Sequence, residues 1–436
     1  MKRIKHNGTN RSLFMTRSIL EKLKKTAWYL GVPAVNFAVS TITFPILSTY
    51  LSASDYGVIG YFGSLILFIN VFYGLSFNTY FMSVYHRYEP GERGVLIRKL
   101  VSALLVWNVV FYPVSVGLLA LFLHFNNVRI PLVPFGVLAL AIAGASFFRN
   151  FLQVSYRLDG AAFRFFAFMS SQKIVLTAAI LFFVVYWRLG ALGHYWGTLV
   201  AEGVFLLIVL RIYFRSHGLA FDKVLTRDAL RVSLPLLPAS LLYIPCVSYD
   251  TIVLAKVGTL SELGIYNVGK NIGTYLYTVG YALYQVFEPV IYRAVSERNS
   301  KALVKTVVQL TLAIGFLVVV LNAVLPQVVA YLTNNRFNNA VPYARILLLS
   351  SGLMVLFSVG DAILGALQKT KTILWIHATA AVLCLVSHTY SATHWGHIGV
   401  AWSTVLVFGY VFLMSAAIGF YELKRATPAA FKLQTA

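Results

Sequence analysis

Lys270, Asn271, Thr274, Thr278, Tyr281, Gln285 and Glu288 recur at helical spacing along one face of residues 261–291, a stretch long enough to cross a bilayer. One ammonium, several amides and hydroxyls and a carboxylate on one side of an apolar helix make a wet surface inside the membrane, suited to holding a polar solute. A charged side chain at the bilayer centre costs roughly 2.5 to 3.5 kcal/mol even on a lenient insertion scale, so Lys270 must face protein or a water-filled cavity. The opening turn of this stretch has a twin. Ser54-Asp55-Tyr56-Gly57-Val58 precedes an earlier apolar span as Ser261-Glu262-Leu263-Gly264-Ile265 precedes this one, 207 residues apart. A repeated half with a polar central helix suggests a transporter.

Depth arithmetic at about 1.5 Å per residue pairs the remaining buried charges. Asp250 and Lys270 fall at matching depth on consecutive spans, Lys173 and Glu202 match on two others, and Asp361 matches His377. Each couple is a candidate for ion coupling, or simply two charges that neutralise one another. Paired catalytic carboxylates, a Gly-rich phosphate loop, a His-Glu-x-x-His helix and a serine nucleophile elbow are all missing, so no active site is read. Cys246 and Cys384 fall mid-span and apart, as small apolar packing residues. No metal site or cofactor is expected.

The elements that must position these groups are membrane helices. The chain is 59% hydrophobic and 11% charged with a mean hydropathy of +0.75, outside the range of soluble domains. Its net charge of +22 does not indicate nucleic acid, because the basic residues are dealt out between apolar spans rather than gathered on one face. Windows of about 20 apolar residues give twelve spans: 27–49, 57–84, 100–123, 131–152, 165–187, 190–210, 233–255, 264–290, 304–325, 341–367, 373–390 and 398–420.

Of the 36 Lys and Arg, Arg129, Arg188, Lys256, Arg336 and Arg345 fall on one side, Lys173 and Lys270 lie within spans, and the other 29 share the side of the N-terminus. That asymmetry puts both termini in the cytoplasm. Asn7-Gly8-Thr9 and Asn10-Arg11-Ser12 then lie on the cytoplasmic side, as chance matches to a glycosylation sequon. The fold expected is all-α, with twelve transmembrane helices in two parallel six-helix lobes around a central cavity. The lobes are residues 1–213 and 214–436.

The first two spans of each lobe carry polar stripes. Asn36, Ser40 and Thr43 mark the first, and Ser64, Asn70 and Asn78 in the second match Asn271, Tyr277 and Gln285 under the repeat. These four helices are expected to wall the cavity, although hydrogen bonding between helices would also account for many such residues. Pro33, Pro45, Pro113, Pro235, Pro238 and Pro245 interrupt spans, and the three in span seven make it the expected bending helix.

Two stretches resemble the polysaccharide flippases, the O-antigen and repeat-unit flippases of the multidrug, oligosaccharidyl-lipid and polysaccharide exporter superfamily. One is Phe44-Pro45-Ile46-Leu47-Ser48-Thr49-Tyr50-Leu51-Ser52-Ala53-Ser54-Asp55-Tyr56-Gly57. The other runs Ser233-Leu234-Pro235-Leu236-Leu237-Pro238, Asp250-Thr251-Ile252-Val253-Leu254, then Leu263-Gly264-Ile265-Tyr266-Asn267-Val268-Gly269-Lys270. Thr251 stands where that pattern has a basic residue, which makes Lys270 the more plausible partner of Asp250.

The resemblance implies a non-enzymatic flippase of the bacterial plasma (inner) membrane. Its substrate would be an oligosaccharide repeat unit on a polyprenyl pyrophosphate, turned from the cytoplasmic to the outer face by alternating access for O-antigen, capsule or exopolysaccharide assembly. Lys270 with Arg149 and Lys173 would attract the anionic head. Tyr277, Tyr281 and Tyr284 would offer ring faces and hydroxyls to sugars, with Asn271, Thr274, Thr278, Gln285, Asn36 and Asn70 lining the same cavity. Asp250, Glu202 or Asp361 would carry a coupling proton or sodium ion. The partners implied are the lipid-linked oligosaccharide, membrane lipids, and the polysaccharide polymerase with its chain-length machinery.

The alternative is a proton- or sodium-coupled multidrug or cation antiporter of the same superfamily, which would want an acid-rich cavity. A membrane glycosyltransferase or polymerase would want long acidic outer loops, whereas these are short, with only Asp55 and Glu262 as acids.

Overall fold

Two turns 207 residues apart start the helices on which the architecture rests. Ser52 and Asp55 form a reciprocal capping box, the Ser52 hydroxyl accepting from the Asp55 amide at 3.1 Å and the Asp55 carboxylate from the Ser52 amide at 2.8 Å. Thr259 and Glu262 repeat it at 3.2 and 2.8 Å. Each box satisfies amides that the first helical turn leaves without partners.

The structure is a computed structural model that describes residues 7–89, 91–126, 128, 130–215 and 218–425. The ends of both tails and Arg129, which bear on the charge asymmetry, lie outside the described residues. The helices are α1 (Asn7–Tyr50), α2 (Ala53–Gly74), α3 (Phe77–Val84), α4 (Arg93–Phe125), α5 (Val137–Leu158), α6 (Ala162–Leu181) and α7 (Gly190–Phe214). They continue with α8 (Lys223–Ser233), α9 (Leu237–Val257), α10 (Leu260–Ser296), α11 (Ser300–Leu332), α12 (Val341–Ala366) and α13 (Thr370–Arg425). No strand occurs among the described residues.

Ten of the described helices are long and apolar enough to cross a membrane, against the twelve spans expected. Two physical reasons account for the difference. The polar stripe of α10 dilutes its hydropathy, and α13 is one assigned helix over two crossings, bent at Gly396 with φ +59° and ψ −146°. That conformation is open to glycine and strained for other residues. Contacts eight residues either side of the bend show the chain doubling back, His388 Nε2 lying 3.2 Å from Thr404 Oγ1. Counting α10 and both arms of α13 gives twelve crossings.

Helices α1–α7 pack mainly on one another, α9–α13 do the same, and α2 joins the two groups by lying against α9 and α10. The first element after residue 213 does not follow this division. α8 rests on α3 and α4, with Ala229 buried in the same cluster as Phe81 and Leu100. Lys99 Nζ meets the Asp222 carboxylate at 2.8 Å, the Ser102 hydroxyl accepts from the Ala220 amide at 3.1 Å, and the Ser233 hydroxyl donates to the Ser76 carbonyl at 3.2 Å. Asp222 also caps α8 through the Val224 and Leu225 amides, and the hydrogen bond from Lys99 first among its partners holds this carboxyl below the usual range. Pro235 and Pro238 occupy the 3-10 turn Leu234–Leu236 and the first turn of α9, positions that tolerate proline. Only Pro245 lies inside α9.

Candidate functional site

The face of α10 that carries Gly264, Asn267, Asn271, Thr274, Thr278 and Gln285 changes character along its length. Gly264 and Asn267 are buried against α2: a methyl group at Gly264 would collide with the Ala53 carbonyl, and Asn267 Nδ2 reaches the Tyr56 carbonyl at 3.5 Å. From the next turn onwards, the same face comes into the open. Asn271, Thr274 and Gln285 are exposed and Thr278 is half-buried. Residues at this spacing share one side of a helix, so α2 and α10 touch at the end bearing the capping boxes and part towards the end bearing α8. The space between them is a cleft closed at its capped end.

Further contacts close that end. A methyl at Gly57 would strike the Leu260 carbonyl. Across the groups, Asn334 from the turn after α11 donates to the Pro45 carbonyl and the Thr49 hydroxyl at 2.9 and 2.8 Å, and Arg336 donates to the Ser48 and Thr49 carbonyls. The Ser48 and Thr49 carbonyls lie in the last turn of α1 and lack helical partners, so a guanidinium there satisfies both hydrogen bonding and the helix dipole. In the opposite sense, Lys256 at the end of α9 donates to Asn126 Oδ1 after α4.

At the apex of the cleft sits a charge pair. Lys270 Nζ donates to Asp250 Oδ1 at 2.7 Å, to the Val247 carbonyl at 2.9 Å and to Thr251 Oγ1 at 3.5 Å, so its three protons are all directed. The Asp250 side chain is 4% exposed and that of Lys270 28%. Asp250 Oδ2 accepts from the Tyr266 hydroxyl at 2.8 Å, and Thr251 bonds Asn267 at 3.3 Å. Behind Asp250 lies His388, fully buried, with Ser403 and Thr404 at 3.1 and 3.2 Å from its ring nitrogens. A buried carboxylate with a matched ammonium and a hydroxyl donor satisfies the conditions under which an ion pair survives in a low-dielectric interior.

Below the apex three tyrosines form a ladder on α10. Tyr277 and Tyr281 stack with centroids 5.5 Å apart and planes 28° apart, Tyr281 and Tyr284 follow at 5.4 Å and 35°, and the Tyr284 hydroxyl donates to Glu288 at 3.2 Å. Tyr284 is 4% exposed and packs in the apolar core with Ile291 and Leu310, which corrects its expected place on the wall. Tyr277 and Tyr281, half-buried, are the rungs that present an aromatic face with a hydroxyl rim, an apolar surface beside hydrogen-bonding groups.

The sequence profile of a family described as polysaccharide biosynthesis protein matches residues 22–293, more than half of the chain. The chain belongs to that family. No curated protein sequence matches the chain. Among solved structures, this family member is similar to the lipid II flippase MurJ in an inward closed conformation, with a TM-score of 0.69 at 13% identity over 92% of this chain and 90% of the other. It is similar also to an inward-facing multidrug resistance MATE family transporter of the MOP superfamily, with a TM-score of 0.68 at 15% identity over 91% and 99%. An outward-facing MATE family transporter gives 0.60 at 17% identity over 92% and 96%. At such identities the likeness is one of fold, and the fold is that of MOP-superfamily transporters.

Within this family member, the expected residues divide into three groups. Lys270 and Asp250 meet at the apex, and Asn271, Thr274, Tyr277, Thr278, Tyr281 and Gln285 run down the cleft wall below them. Asn36 and Asn70 are half-buried on α1 and α2.

The second group sits inside the first lobe and corrects an expected pair. Glu202, 4% exposed, is held by Arg149 at 3.2 Å through both carboxylate oxygens and by Gln172 at 2.9 Å, and Lys173 is not its partner. Depth along a helix does not fix direction around it. Gln172 meets Glu202, and Lys173, one residue or about 100° further round, does not. Lys173 is half-buried, with no ion pair among the described residues.

Asp361 and His377 form the third group, 3.1 Å apart between α12 and α13. Cys246 and Cys384, expected apart, share one apolar cluster, the Cys384 thiol donating to the Pro245 carbonyl at 3.2 Å.

Tyr266, Asn267, Thr251 and His388 were not among the expected site residues. The first was legible, since Tyr266 lies one turn before Lys270 and shares its face. His388 carried no sequence signal beyond being one histidine in an apolar span.

Proposed function

We propose that this transporter is a flippase for an oligosaccharide repeat unit carried on a polyprenyl pyrophosphate, moving it from the cytoplasmic to the outer face of a bacterial inner membrane. The observation that carries this reading is the wall of α10, where a lysine at the closed apex is followed by polar side chains and a tyrosine ladder. An anionic head would sit near Lys270 and the sugars along Tyr277 and Tyr281, with the lipid tail left in the bilayer. A solute of that shape needs a charge at one end and mixed apolar and polar contact along its length.

The basic residues assign direction. By the charge asymmetry the end bearing α8 is cytoplasmic and the capped end is outer, so the cleft opens towards the side where such lipids are assembled. Alternating access would then part α2 from α10 at the outer end, with the two lobes turning at Leu234–Leu236, because α8 stays with the first lobe. The product would pass to polymerase and chain-length machinery building O-antigen, capsule or exopolysaccharide.

Purified protein in liposomes bearing a fluorescent lipid-linked oligosaccharide tests the reading. Protein-dependent loss of protection from an external glycosidase supports it. Movement of cationic dyes with no movement of the lipid-linked oligosaccharide would replace it with the antiporter reading.

A further inference from the structure

We propose that capture of the anionic head by Lys270 is linked to uptake of one proton by Asp250; this rests on the substrate reading above. The geometry that carries it is the closure of the Lys270 coordination. All three ammonium protons are directed at protein acceptors, Asp250 Oδ1, the Val247 carbonyl and Thr251 Oγ1. An anion in the cleft therefore has no free donor on this lysine until the pair opens. The two partners are unequally accessible, since the Lys270 side chain is 28% exposed and Asp250 only 4%. A phosphate oxygen can draw the ammonium into the cleft, and the carboxylate cannot follow it to water.

What Asp250 keeps is insufficient for a charge. The donors left to it are two neutral hydroxyls, Tyr266 at 2.8 Å and Thr251 at 3.4 Å. The titratable groups that face it from the other packed elements supply no replacement cation. On α13, the buried His388 already has Ser403, Thr404 and Cys384 about its ring nitrogens, and Cys384 donates to the Pro245 carbonyl. His397 and, on α12, Tyr343 pack on the Tyr266 ring at 6.2 and 5.7 Å, one helix turn further towards the capped end. α2 contributes the Tyr56 carbonyl, by way of Asn267.

A carboxylate deprived of its cation in an apolar interior is neutralised by protonation. The proton comes from water in the cleft and forms an O–H bond on Asp250. Lys270 remains an ammonium throughout, now bonded to the phosphate. When the head leaves, the ammonium returns and the proton is released. One lysine thus serves two acceptors in turn, and the sign follows: binding takes up a proton, so affinity rises as pH falls.

Calorimetric titration of the full-length protein in nanodiscs with undecaprenyl pyrophosphate, at pH 7 in two buffers of different ionisation enthalpy, counts the protons. Wild type is expected to take up about one proton more per bound lipid than Asp250→Asn, in which Lys270 has no charged partner and the ligand's own protonation alone is measured. In the wild type, affinity is expected to fall by up to about tenfold per unit as pH rises through neutrality, with a flatter profile in the variant. A second variant, Asp250→Ser, gives the same comparison should the amide fail to fold. Saturable binding with equal proton counts in wild type and variant overturns the linkage and leaves the substrate reading standing. No saturable binding by wild type overturns both.

Discussion

Gly57 lies against the Leu260 carbonyl, and Gly264, 207 residues later, lies against the carbonyl of Ala53, which stands 207 residues before Leu260. The two helices thus cross through a reciprocal contact at which neither can carry a side chain. Gly264→Ala puts a methyl group into a carbonyl that belongs to a capped first turn and has little room to move. Overpacking of this kind costs about 1 to 3 kcal/mol, here charged to the state in which the capped end is closed. The expected outcome is a gain in labelling of a cysteine placed at Leu260 by an impermeant reagent added from outside, with Gly57→Ala behaving alike. Labelling as in the parent would mean that the crossing is not a gate contact.

From the other lobe, Arg336 holds two of the last carbonyls of α1, and Asn334 bonds the Pro45 carbonyl and the Thr49 hydroxyl beside them. Replacing both by alanine should lower the midpoint of thermal unfolding, since hydrogen bonds to a charged donor contribute about 1.5 to 3 kcal/mol. A cysteine pair at Thr49 and Asn334 should crosslink in the resting protein and stop transport reversibly. Transport that continues with the crosslink formed would show that this end never opens.

For Lys270 and Asp250, the single and double variants separate packing from function. Lys270→Met alone leaves a buried carboxylate and is expected to cost about 3 to 5 kcal/mol, visible as reduced yield and thermal stability. Asp250→Asn with Lys270→Met should recover most of that stability, while flipping stays lost in both. A double variant that flips at the parent rate would remove Lys270 from substrate binding.

Glu202 offers a contrasting case. Its carboxylate is bound by Arg149 and Gln172 inside the first lobe, so Glu202→Gln should lower thermal stability through the guanidinium it leaves behind. Affinity for the lipid substrate should be unchanged within about twofold. Loss of ion-dependent flipping in a stable, normally binding variant would instead make Glu202 a coupling residue.

The sequence made some of this arrangement legible, and the reasons are physical. Bilayer thickness fixes span length, so the crossings could be counted; even α10, too polar to pass as an ordinary membrane helix, betrayed itself by its stripe. The rise per residue fixes depth, which brought Asp250 and Lys270 to the same level. Depth gives no azimuth, however, and Glu202 met Arg149 because α5 stands beside α7 in a way that no spacing within one span encodes. The docking of α8 on the first lobe was hidden for a related reason. It draws on two small residues, Ala229 and Ser233, and on Asp222, whose partners lie more than 100 residues earlier.

The charge pair also bears on how the chain enters the membrane. Only Gly258 and Thr259 separate α9 from α10, and α10 is not among the helices apolar enough to cross by composition. Lys270 and Asp250 stand on these two helices, 2.7 Å apart, so delivered together they enter lipid as a neutral couple instead of two separate charges, each costing roughly 2.5 to 3.5 kcal/mol. The pair would then serve assembly before it serves the transport role proposed for it. Glycosylation-tag mapping during translation should find α10 inserting with α9 ahead of it and failing to insert alone, and an Asp250→Ala change should reduce insertion of the helix that follows.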